Sequence, residues 1–276
     1  MRLNKSIVIL IVLFRKDIHD CLSYNTLLHS LPKVDFEPEI IIYNNSVDRR
    51  IAEINGCIVV NSSQDGKLPQ AYNYGLQHAQ ATKSQWLLLL DQDTEVSAAY
   101  FQMLEKELAT IDKENTVAVV PKLVDGNVVL SPRIRSDVGY WEKAIAHTGY
   151  QQKKVVAFNS MSLLSVDFMQ SIGGFSEKYP LDMLDHWYYN EIYKNRKKVY
   201  VLDCAIKHNL SFQHYENEVS VERHRSFLDA EAQFVRELGK MYVVSYKIKL
   251  LLRAVKQLLV FKNKQYAELT FRQLIE

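Results

Sequence analysis

Short apolar runs alternate with segments of helical spacing through the first half of the chain. Five of these runs have the length of a strand, and several are rich in β-branched residues and end at polar positions. They cover residues 7–13, 39–43, 57–60, 86–90 and 117–120. The segments of helical spacing cover residues 17–30, 68–80 and 97–110. This alternation predicts an α/β fold, with a mostly parallel sheet that is flanked by helices on both faces.

The second half of the chain is less regular. Residues 121–132 contain the turn signal Asp125-Gly126-Asn127, which predicts a hairpin or an excursion from the sheet. Further strands are predicted over residues 155–165 and 198–202, and helices over residues 166–171 and 184–195. From about Val219 the pattern is helical to the end. We therefore expect a first domain over residues 1–215 and a C-terminal helical extension over residues 216–276.

Cysteine usage and apolar run lengths indicate the compartment. Cys21, Cys57 and Cys204 are far apart and form no CxxC pair, so a disulfide framework is not expected and a reducing compartment fits. The apolar run at residues 7–14 is much shorter than the ~20 residues of a spanning helix, and we interpret it as a buried strand. We expect a cytoplasmic protein that is not an integral membrane protein.

The net charge of +2 hides a basic C-terminal segment. Residues 240–276 contain eight Lys or Arg and two Glu, which gives +6 and leaves −4 for the rest of the chain. Six aliphatic residues in this segment share one helical face, and three basic residues lie on another. The aliphatic residues are Ile248, Leu251, Leu252, Val255, Leu258 and Leu259, and the basic residues are Lys249, Arg253 and Lys256. Such a helix packs against protein or lies on an anionic membrane surface, and the charge excess favours the membrane. No nucleic-acid partner is expected.

An acidic pair follows the apolar run at residues 86–90. Asp91 and Asp93 are separated by one residue, so in an extended chain both carboxylates face the same side, beyond the strand end where α/β sheets bind ligands. Two hard oxygen ligands suit Mg²⁺ or Mn²⁺, which neutralises a diphosphate. The alternative is a solvated loop with acids that cap a helix, but a buried strand directly before the pair favours the metal site.

Six short motifs together carry a resemblance to a known family. They are Ile40-Ile-Ile-Tyr-Asn44-Asn45-Ser46, Ala71-Tyr-Asn73-Tyr-Gly75, Leu90-Asp91-Gln92-Asp93-Thr94, Asn159-Ser-Met-Ser162, Ile172-Gly-Gly174-Phe175 and Leu181-Asp182-Met-Leu-Asp185. In this order and spacing, over about residues 6–215, the chain resembles glycosyltransferase family 2 of the GT-A fold, in particular its bacterial rhamnosyltransferase-like branch.

The resemblance implies a GT-A (Rossmann-like) fold and an inverting transfer of rhamnose or another hexose. The donor would be a UDP- or dTDP-sugar, held with Mn²⁺ or Mg²⁺ at Asp91 and Asp93. The acceptor would be a glycan or lipid-linked glycan of a bacterial surface polysaccharide, which places the enzyme in the cytoplasm or on the inner face of the cell membrane.

The resemblance also implies donor contacts from Asn44, Asn45, Ser46 and Asn73. Asn44 stands where the family usually has an Asp that contacts the pyrimidine base, and an amide can bond a uracil or thymine edge. Its alternative role is that of a turn residue. Met161 stands where relatives often have Gly, and we expect it to narrow the acceptor site.

For the general base, the residue that matches the family is Asp185. Asp182, three residues earlier, is the rival, with a helix N-cap as its alternative role. Relatives usually carry further acids after the base, whereas this chain has His186 and Trp187.

Three further residues are candidates on weaker grounds. His208 matches a position where many GT-A enzymes place a His near the metal, although a lone His is more often structural. Arg223 and Arg225 follow in a segment that looks flexible, and their guanidinium groups suit diphosphate oxygens as well as they suit a solvated helix face.

Two other function classes compete with a glycosyltransferase. A nucleotidyltransferase also uses acidic pairs on an α/β sheet, but it would show a Gly-rich loop after the first strand, and residues 14–17 contain no Gly. A non-catalytic nucleotide- or carbohydrate-binding relative fits the missing acids after Asp185. The presence of Asp91, Asp93 and Asp185 argues against it.

Overall fold

The computed structural model describes residues 7–34, 37–151, 153–208 and 215–276. The chain forms two compact units. The first, here the sheet unit, contains Met1–Arg133 and Ala144–Asn209, and the second, the helical unit, contains Ile134–Lys143 and Leu210–Glu276. The expected division into domains 1–215 and 216–276 stays a prediction, and the helical unit also takes in the segment Ile134–Lys143.

The elements of the described chain are as follows. The strands are β1 Ile7–Leu13, β2 Glu39–Asn44, β3 Cys57–Asn61, β4 Trp86–Asp91, β5 Thr116–Asp125, β6 Val128–Ser131, β7 Arg133–Arg135, β8 Glu142–Ala144, β9 Gly149–Gln151, β10 Val155–Val156, β11 Leu163–Ser165 and β12 Lys198–Lys207. The helices are α1 Leu22–Ser30, α2 Leu68–Ala81, α3 Ala98–Leu108, α4 Val166–Ser171, α5 Leu184–Lys194, α6 Tyr215–Glu218, α7 Val221–Leu238, α8 Lys240–Val260 and α9 Gln265–Ile275. Short 3-10 turns cover Ile18–Asp20 and Leu31–Lys33.

Nine of these strands form the central sheet of the sheet unit, in the order β3-β2-β1-β4-β11-β5-β12-β9, with β6 paired to β5. The pairs β1–β2, β1–β4, β2–β3 and β5–β12 are parallel. The strand β11 runs antiparallel between β4 and β5. The predicted fold class, a mostly parallel sheet with flanking helices and a helical C-terminal region, is therefore confirmed.

The core lies on both faces of this sheet. Every residue of β1 is buried because the strand is central and covered on both faces, which is why its sequence is a continuous apolar run. One face packs against Leu27 of α1 and Leu104 of α3. On the other face α2 approaches closely at Gly75, where a Cβ atom would lie 3.0 Å from the Leu10 side chain.

Two predictions for the second half have opposite outcomes. The hairpin is confirmed, since β5 and β6 pair antiparallel across the turn at Gly126. The single strand predicted over residues 155–165 is wrong, because it is interrupted between β10 and β11. Met161 has φ of 61°, and the amide of Ser162 donates to the carbonyl of Asn159 at 3.0 Å, so this part is a turn.

Met161 itself does not narrow an acceptor site. Its side chain is fully buried in the hydrophobic core, beside strand residues of β1 and β4. Glycine adopts the left-handed backbone of this position without strain, which explains why relatives often have Gly where this chain has Met161.

A buried ion pair joins helices α7 and α8 of the helical unit. Glu231 of α7 is almost fully buried and accepts two hydrogen bonds from the Arg253 guanidinium of α8, at 2.6 and 3.0 Å. Lys249 lies 3.8 Å from the same carboxylate, and its ammonium group also lies over the Tyr140 ring at 4.4 Å. The charges of Lys249 and Arg253 are therefore used inside the helical unit, which was not expected from the sequence.

The turn at Gly173 and Gly174 offers a matched test of packing. Both glycines have left-handed φ angles, 81° and 82°, so alanine at either position strains the backbone to a similar extent. Only at Gly174 would a Cβ atom meet another group, the Asn73 side-chain oxygen at 2.6 Å. We expect Gly174→Ala to lower the free energy of unfolding by about 1–3 kcal/mol more than Gly173→Ala, measured by urea denaturation. Equal losses in the two variants would contradict this account of the turn.

Candidate active site

The acidic pair lies at the carboxyl edge of the parallel strands. Asp91 is the last residue of β4 and pairs with Val12 near the end of β1, so the loop that follows starts at the centre of the sheet edge. The backbone amide of Phe14, just after β1, donates to the side-chain oxygen of Gln92 at 2.9 Å. The two strand ends are thereby tied together at the level of Asp91 and Asp93.

Helix α1 fastens the acidic loop through three side-chain hydroxyls. The Ser23 hydroxyl bonds the carbonyl of Asp91 and, at 2.9 Å, the carbonyl of Thr94. The Thr26 hydroxyl accepts the Val96 amide at 2.9 Å, and the Ser30 hydroxyl donates to the Val96 carbonyl at 3.1 Å. Because these hydroxyls belong to one face of a packed helix, they fix the path of residues 91–96.

A second group of polar side chains holds the loop from the opposite side. The Ser160 hydroxyl accepts the Asp91 amide at 3.1 Å and lies 2.7 Å from the Thr94 hydroxyl. Thr94 also forms an antiparallel bridge with His208, and its hydroxyl lies 3.3 Å from the His208 Nδ1 atom. His208 thus reaches the acidic loop, and its role as a metal ligand stays a prediction.

The carboxylates of this edge lie close enough to repel one another. Loss of hydration on burial, followed by the negative charges of Asp93 and Asp185, raises the pKa of Asp91 from 3.8 to about 7. A hydrogen bond from Ser160 opposes this rise only in part. Burial lowers the pKa of His208, against a smaller opposite effect of Asp93, so its imidazole is neutral at pH 7.

Asp185 lies in the first turn of α5 and is brought to this edge by the segment before it. Its carboxylate accepts the amide of His186 at 2.7 Å, and its charge acts on both Asp91 and the buried Tyr72 of α2. Asp182 lies before the helix, where Met183, with φ of 62°, begins α5 without a side-chain cap. The structure therefore places Asp185 within electrostatic reach of Asp91, and the choice between Asp185 and Asp182 as the base stays a prediction.

The three residues at the end of β2 form a buried turn next to β1. The side-chain nitrogen of Asn44 donates to the carbonyl of Arg49 at 2.6 Å and to the side-chain oxygen of Asn61 at 2.9 Å. The side-chain oxygen of Asn44 accepts the backbone amide of Ser46 at 3.2 Å. Asn44 thus holds the turn, and its predicted contact with a base stays a prediction. The hydroxyl of Ser46 accepts the Arg15 amide at 2.6 Å.

Asn45 differs from its neighbours. Its side chain is 2% exposed, and among the residues that the structure describes its Oδ1 atom has no hydrogen-bond partner. Two backbone hydrogen bonds fix its position. Its amide donates to the Leu13 carbonyl at 2.7 Å, and its carbonyl accepts the Gly66 amide at 3.1 Å. A buried amide oxygen without a partner is costly, which makes this atom a candidate acceptor for a ligand.

Asn73 and the two arginines have structural positions that the sequence did not indicate. The side chain of Asn73 makes two hydrogen bonds to the backbone of Phe175. Its nitrogen donates to the Phe175 carbonyl at 3.0 Å, and its oxygen accepts the Phe175 amide at 2.7 Å. Arg223 and Arg225 lie in the regular helix α7 of the helical unit, and not in the flexible segment that the sequence indicated. Donor contacts by these three residues stay predictions.

The residues at this edge fit a divalent cation by their chemistry. Asp91 and Asp93 offer hard oxygen ligands, and crowded carboxylates with a raised pKa form a site that a cation would relieve. Within the described parts of the chain, however, no three His, Cys, Asp or Glu side chains are arranged to hold a metal ion. Mg²⁺ and Mn²⁺ sites of this kind are commonly completed by phosphate oxygens of the substrate.

Sequence reasoning missed the residues that hold the site. Ser23, Thr26 and Ser30 recur with helical spacing on one face of α1, which is the only signal in the sequence for their role. Neither Ser160 nor Tyr72 carries a signal in the sequence beyond its place in a family motif. Tyr72 is fully buried, packs on Phe175 with ring centroids 4.9 Å apart, and carries the contact between α2 and the acids.

Comparisons with known proteins agree with this architecture. The model of the family described as glycosyl transferase family 2 matches residues 26–172. The crystal structure of S. aureus TarS 1-349 has a TM-score of 0.53 at 14% identity, and the match covers 98% of this chain and 70% of that one. A crystal structure of S. aureus TarS has a TM-score of 0.56 at 13% identity and coverages of 96% and 55%. TarS 1-349 in complex with UDP-GlcNAc gives 0.51 at 13% identity, with coverages of 97% and 92%. No curated protein sequence matches significantly, and at these identities the structural likeness shows the fold alone.

The raised pKa of Asp91 predicts a dependence of stability on pH. The folded protein keeps Asp91 protonated up to about pH 7, whereas the unfolded chain ionises near pH 4, so this group lowers the free energy of unfolding as the pH rises between the two values. At pH 8 we expect Asp91→Asn to raise the free energy of unfolding by on the order of a few kcal/mol, and with it the melting temperature, relative to the parent. At pH 4 we expect little effect.

The control for this experiment is Asp229→Asn, which removes an exposed carboxylate of α7. The measurement is thermal unfolding without metal ions or nucleotide. A melting-temperature difference between Asp91→Asn and the parent that is the same at pH 4 and pH 8 would contradict the assigned cause.

Proposed function

Since this chain belongs to glycosyl transferase family 2, we propose that it transfers a hexosyl group, with inversion, from a nucleoside diphosphate sugar to an acceptor hydroxyl. The observation that carries the proposal is the convergence of Asp91, Asp93 and Asp185 at the carboxyl edge of the sheet. Two carboxylates at a strand end suit a diphosphate with its cation, and a third on a separate helix suits proton removal from the acceptor.

The base of the donor binds, in our proposal, at the end of β2. Uracil and thymine present an N–H donor between two carbonyls, and the Asn45 Oδ1 atom is a buried acceptor without a partner among the described residues. Asn44 then holds the turn through its own hydrogen bonds, and Ser46 fixes the neighbouring loop after β1. The donor is a UDP- or dTDP-sugar, and the UDP-GlcNAc complex of TarS is a neighbour of the same fold.

The diphosphate binds at Asp91 and Asp93 with Mn²⁺ or Mg²⁺. A bound cation supplies charge neutralisation for the departing diphosphate. Asp91 must lose its proton to serve as a ligand, because its pKa of about 7 leaves it partly protonated at neutral pH. His208 in its neutral form is a third candidate ligand, held at the loop by its contact with Thr94. Arg223 and Arg225 are candidates for the diphosphate oxygens.

The chemical step needs a base on the side of the sugar opposite the diphosphate. The Asp185 carboxylate takes the proton of the acceptor hydroxyl while the oxygen of that hydroxyl forms the new bond to the anomeric carbon. The bond from this carbon to the diphosphate oxygen breaks, and the diphosphate leaves with the electron pair. The backbone amide of His186 donates to one oxygen of Asp185 and so orients the carboxylate.

The acceptor is a glycan or lipid-linked glycan, and rhamnose is the first candidate for the transferred sugar. We propose that the enzyme works in the cytoplasm, at the inner face of the cell membrane where the acceptor is lipid-linked. Thermal stabilisation by UDP, dTDP and GDP, with and without Mn²⁺, identifies the donor, because a ligand that binds the folded state raises the melting temperature.

Asp93→Ala tests the metal assignment. We expect this change to abolish transfer and to remove the Mn²⁺-dependent part of nucleotide stabilisation, because it takes a direct anionic ligand away from the cation. Glu95→Ala is the matched control, since it removes an exposed carboxylate from the same loop. Wild-type turnover and wild-type Mn²⁺ dependence in Asp93→Ala would show that the assignment is wrong.

Asp185→Asn tests the base. We expect it to slow transfer by roughly 10² to 10⁴, the range for a lost general base, while nucleotide stabilisation stays at the parent level. Asp182→Asn is the comparison, because it changes an acid three residues away in the same segment. An active Asp185→Asn enzyme beside an inactive Asp182→Asn enzyme would move the base to Asp182. Donor hydrolysis without acceptor separates an enzyme from a non-catalytic binder.

A further inference from the structure

The longest helix of the helical unit carries an apolar face that no described part of that unit covers. Eight aliphatic side chains of α8 are each between 42% and 77% exposed, although α8 buries its other side. They are Met241, Val244, Ile248, Leu251, Leu252, Val255, Leu258 and Leu259. At 3.6 residues per turn they form one stripe, about 120° wide and about 27 Å long.

The opposite face of α8 is fully used within the helical unit. Leu250 and Ala254 are completely buried, and Gln257 accepts a hydrogen bond from Thr270 of α9 at 2.7 Å. Arg253 and Lys249 are held by Glu231 of α7. The orientation of α8 is therefore set by polar as well as apolar contacts, and these contacts leave the aliphatic stripe outside.

Exposed lysines lie along both edges of the stripe. Lys240 and Lys247 follow one edge by helical position and Lys256 follows the other, and all three are exposed. Among the residues that the structure describes, none of them is within ion-pair distance of a carboxylate. The sequence of α8 contains no Asp or Glu at all.

We propose that this stripe is a surface for docking on an anionic lipid membrane. An aliphatic face with a rim of lysines and no acids matches the boundary between acyl chains and anionic headgroups. A protein partner fits less well, because protein interfaces are enriched in aromatic residues and Arg and depleted of Lys, the reverse of this surface. No described helix is long and apolar enough to cross a membrane, so the contact lies in the plane of the interface.

This inference corrects the expectation from the sequence about which charges meet the membrane. Lys249 and Arg253 are paired with Glu231. The basic residues that would meet the anionic headgroups are instead Lys240, Lys247 and Lys256. It adds a surface to the proposed location of the enzyme, and it does not depend on transferase activity.

The test is co-sedimentation of the full chain with phosphatidylcholine vesicles, with and without phosphatidylglycerol, at low and high salt. We expect binding to the anionic vesicles that weakens with salt, because the attraction is screened over a Debye length of ~8 Å at physiological ionic strength. Leu252→Gln/Leu259→Gln should reduce the partition coefficient about tenfold or more, since each change removes apolar surface from the stripe. Lys240→Gln/Lys247→Gln/Lys256→Gln should reduce it by a similar factor on anionic vesicles alone.

Two matched controls leave the stripe intact. Val128→Gln/Val138→Gln removes two aliphatic side chains of similar exposure elsewhere, and Lys33→Gln/Lys83→Gln/Lys106→Gln removes three exposed lysines of the sheet unit. Neither should change binding, and none of the variants should lower the melting temperature, since every replaced side chain is exposed. Vesicle binding is measured without donor or acceptor, so its failure is independent of a failure of the proposed reaction.

Two results would overturn the proposal. The first is absence of vesicle binding by the parent chain at low salt. The second is a parent chain that sediments as a dimer and becomes a monomer in Leu252→Gln/Leu259→Gln, with no binding to vesicles, since the stripe would then be covered by a second copy.

Discussion

The burial of Asp91 next to two further carboxylates at one edge of the sheet is the constraint on which the arrangement around this site depends. Asp91, Asp93 and Asp185 come from a strand end, a loop and a helix. Burial of Asp91, followed by the negative charges of Asp93 and Asp185, raises the pKa of Asp91 to about 7. Such an arrangement destabilises the folded state when it is ionised. It persists because the hydroxyls of α1 and Ser160 hold the backbone of the acidic loop from both sides.

The same balance explains why the surroundings of the acids are so tightly built. The Asn73 clamp on Phe175 and the close approach at Gly174 fix the turn that precedes α5, and α5 carries Asp185. Met161 holds a left-handed turn beside Ser160 at the cost of a strained backbone conformation. The strained backbone and the crowded carboxylates therefore lie at the same edge of the sheet, as is common at functional sites.

How much of this was available from the sequence depends on the range of the interactions. The strands β1, β2, β4 and β5 were predictable because most of their residues are buried, which makes them nearly continuous apolar runs. Asp91 and Asp93 follow one of these runs directly. The edge strand β3 is only half-buried and was predictable from its β-branched residues. The run at 155–165 was misread because its turn is set by a single backbone angle at Met161. The strand β12 extends to Lys207, beyond the predicted residue 202. The prediction ended early because Asp203 interrupts the apolar run, and alternate residues of the last part are exposed.

Side chains that act over long distances along the chain were not predictable. Ser23 and Ser160 are common residues, and only the fold brings them to Asp91. Asn44 matched the family position for a base contact, but its amide is occupied by the turn, and the free acceptor belongs to Asn45. Lys249 and Arg253 read as solvated charges because the sequence does not show that Glu231, 18 and 22 residues earlier, lies opposite them.

The bridge between Thr94 and His208 has a consequence for synthesis on the ribosome. These two residues are 114 positions apart, and β12 must pair with β5 before they can meet. Strands β1 to β4 need only local crossovers, so they can assemble while the rest of the chain is still being made. The acidic loop stays open on one side until residue 208 has left the exit tunnel, and a nascent chain that carries both Asp91 and Asp93 is still incomplete as a binding site.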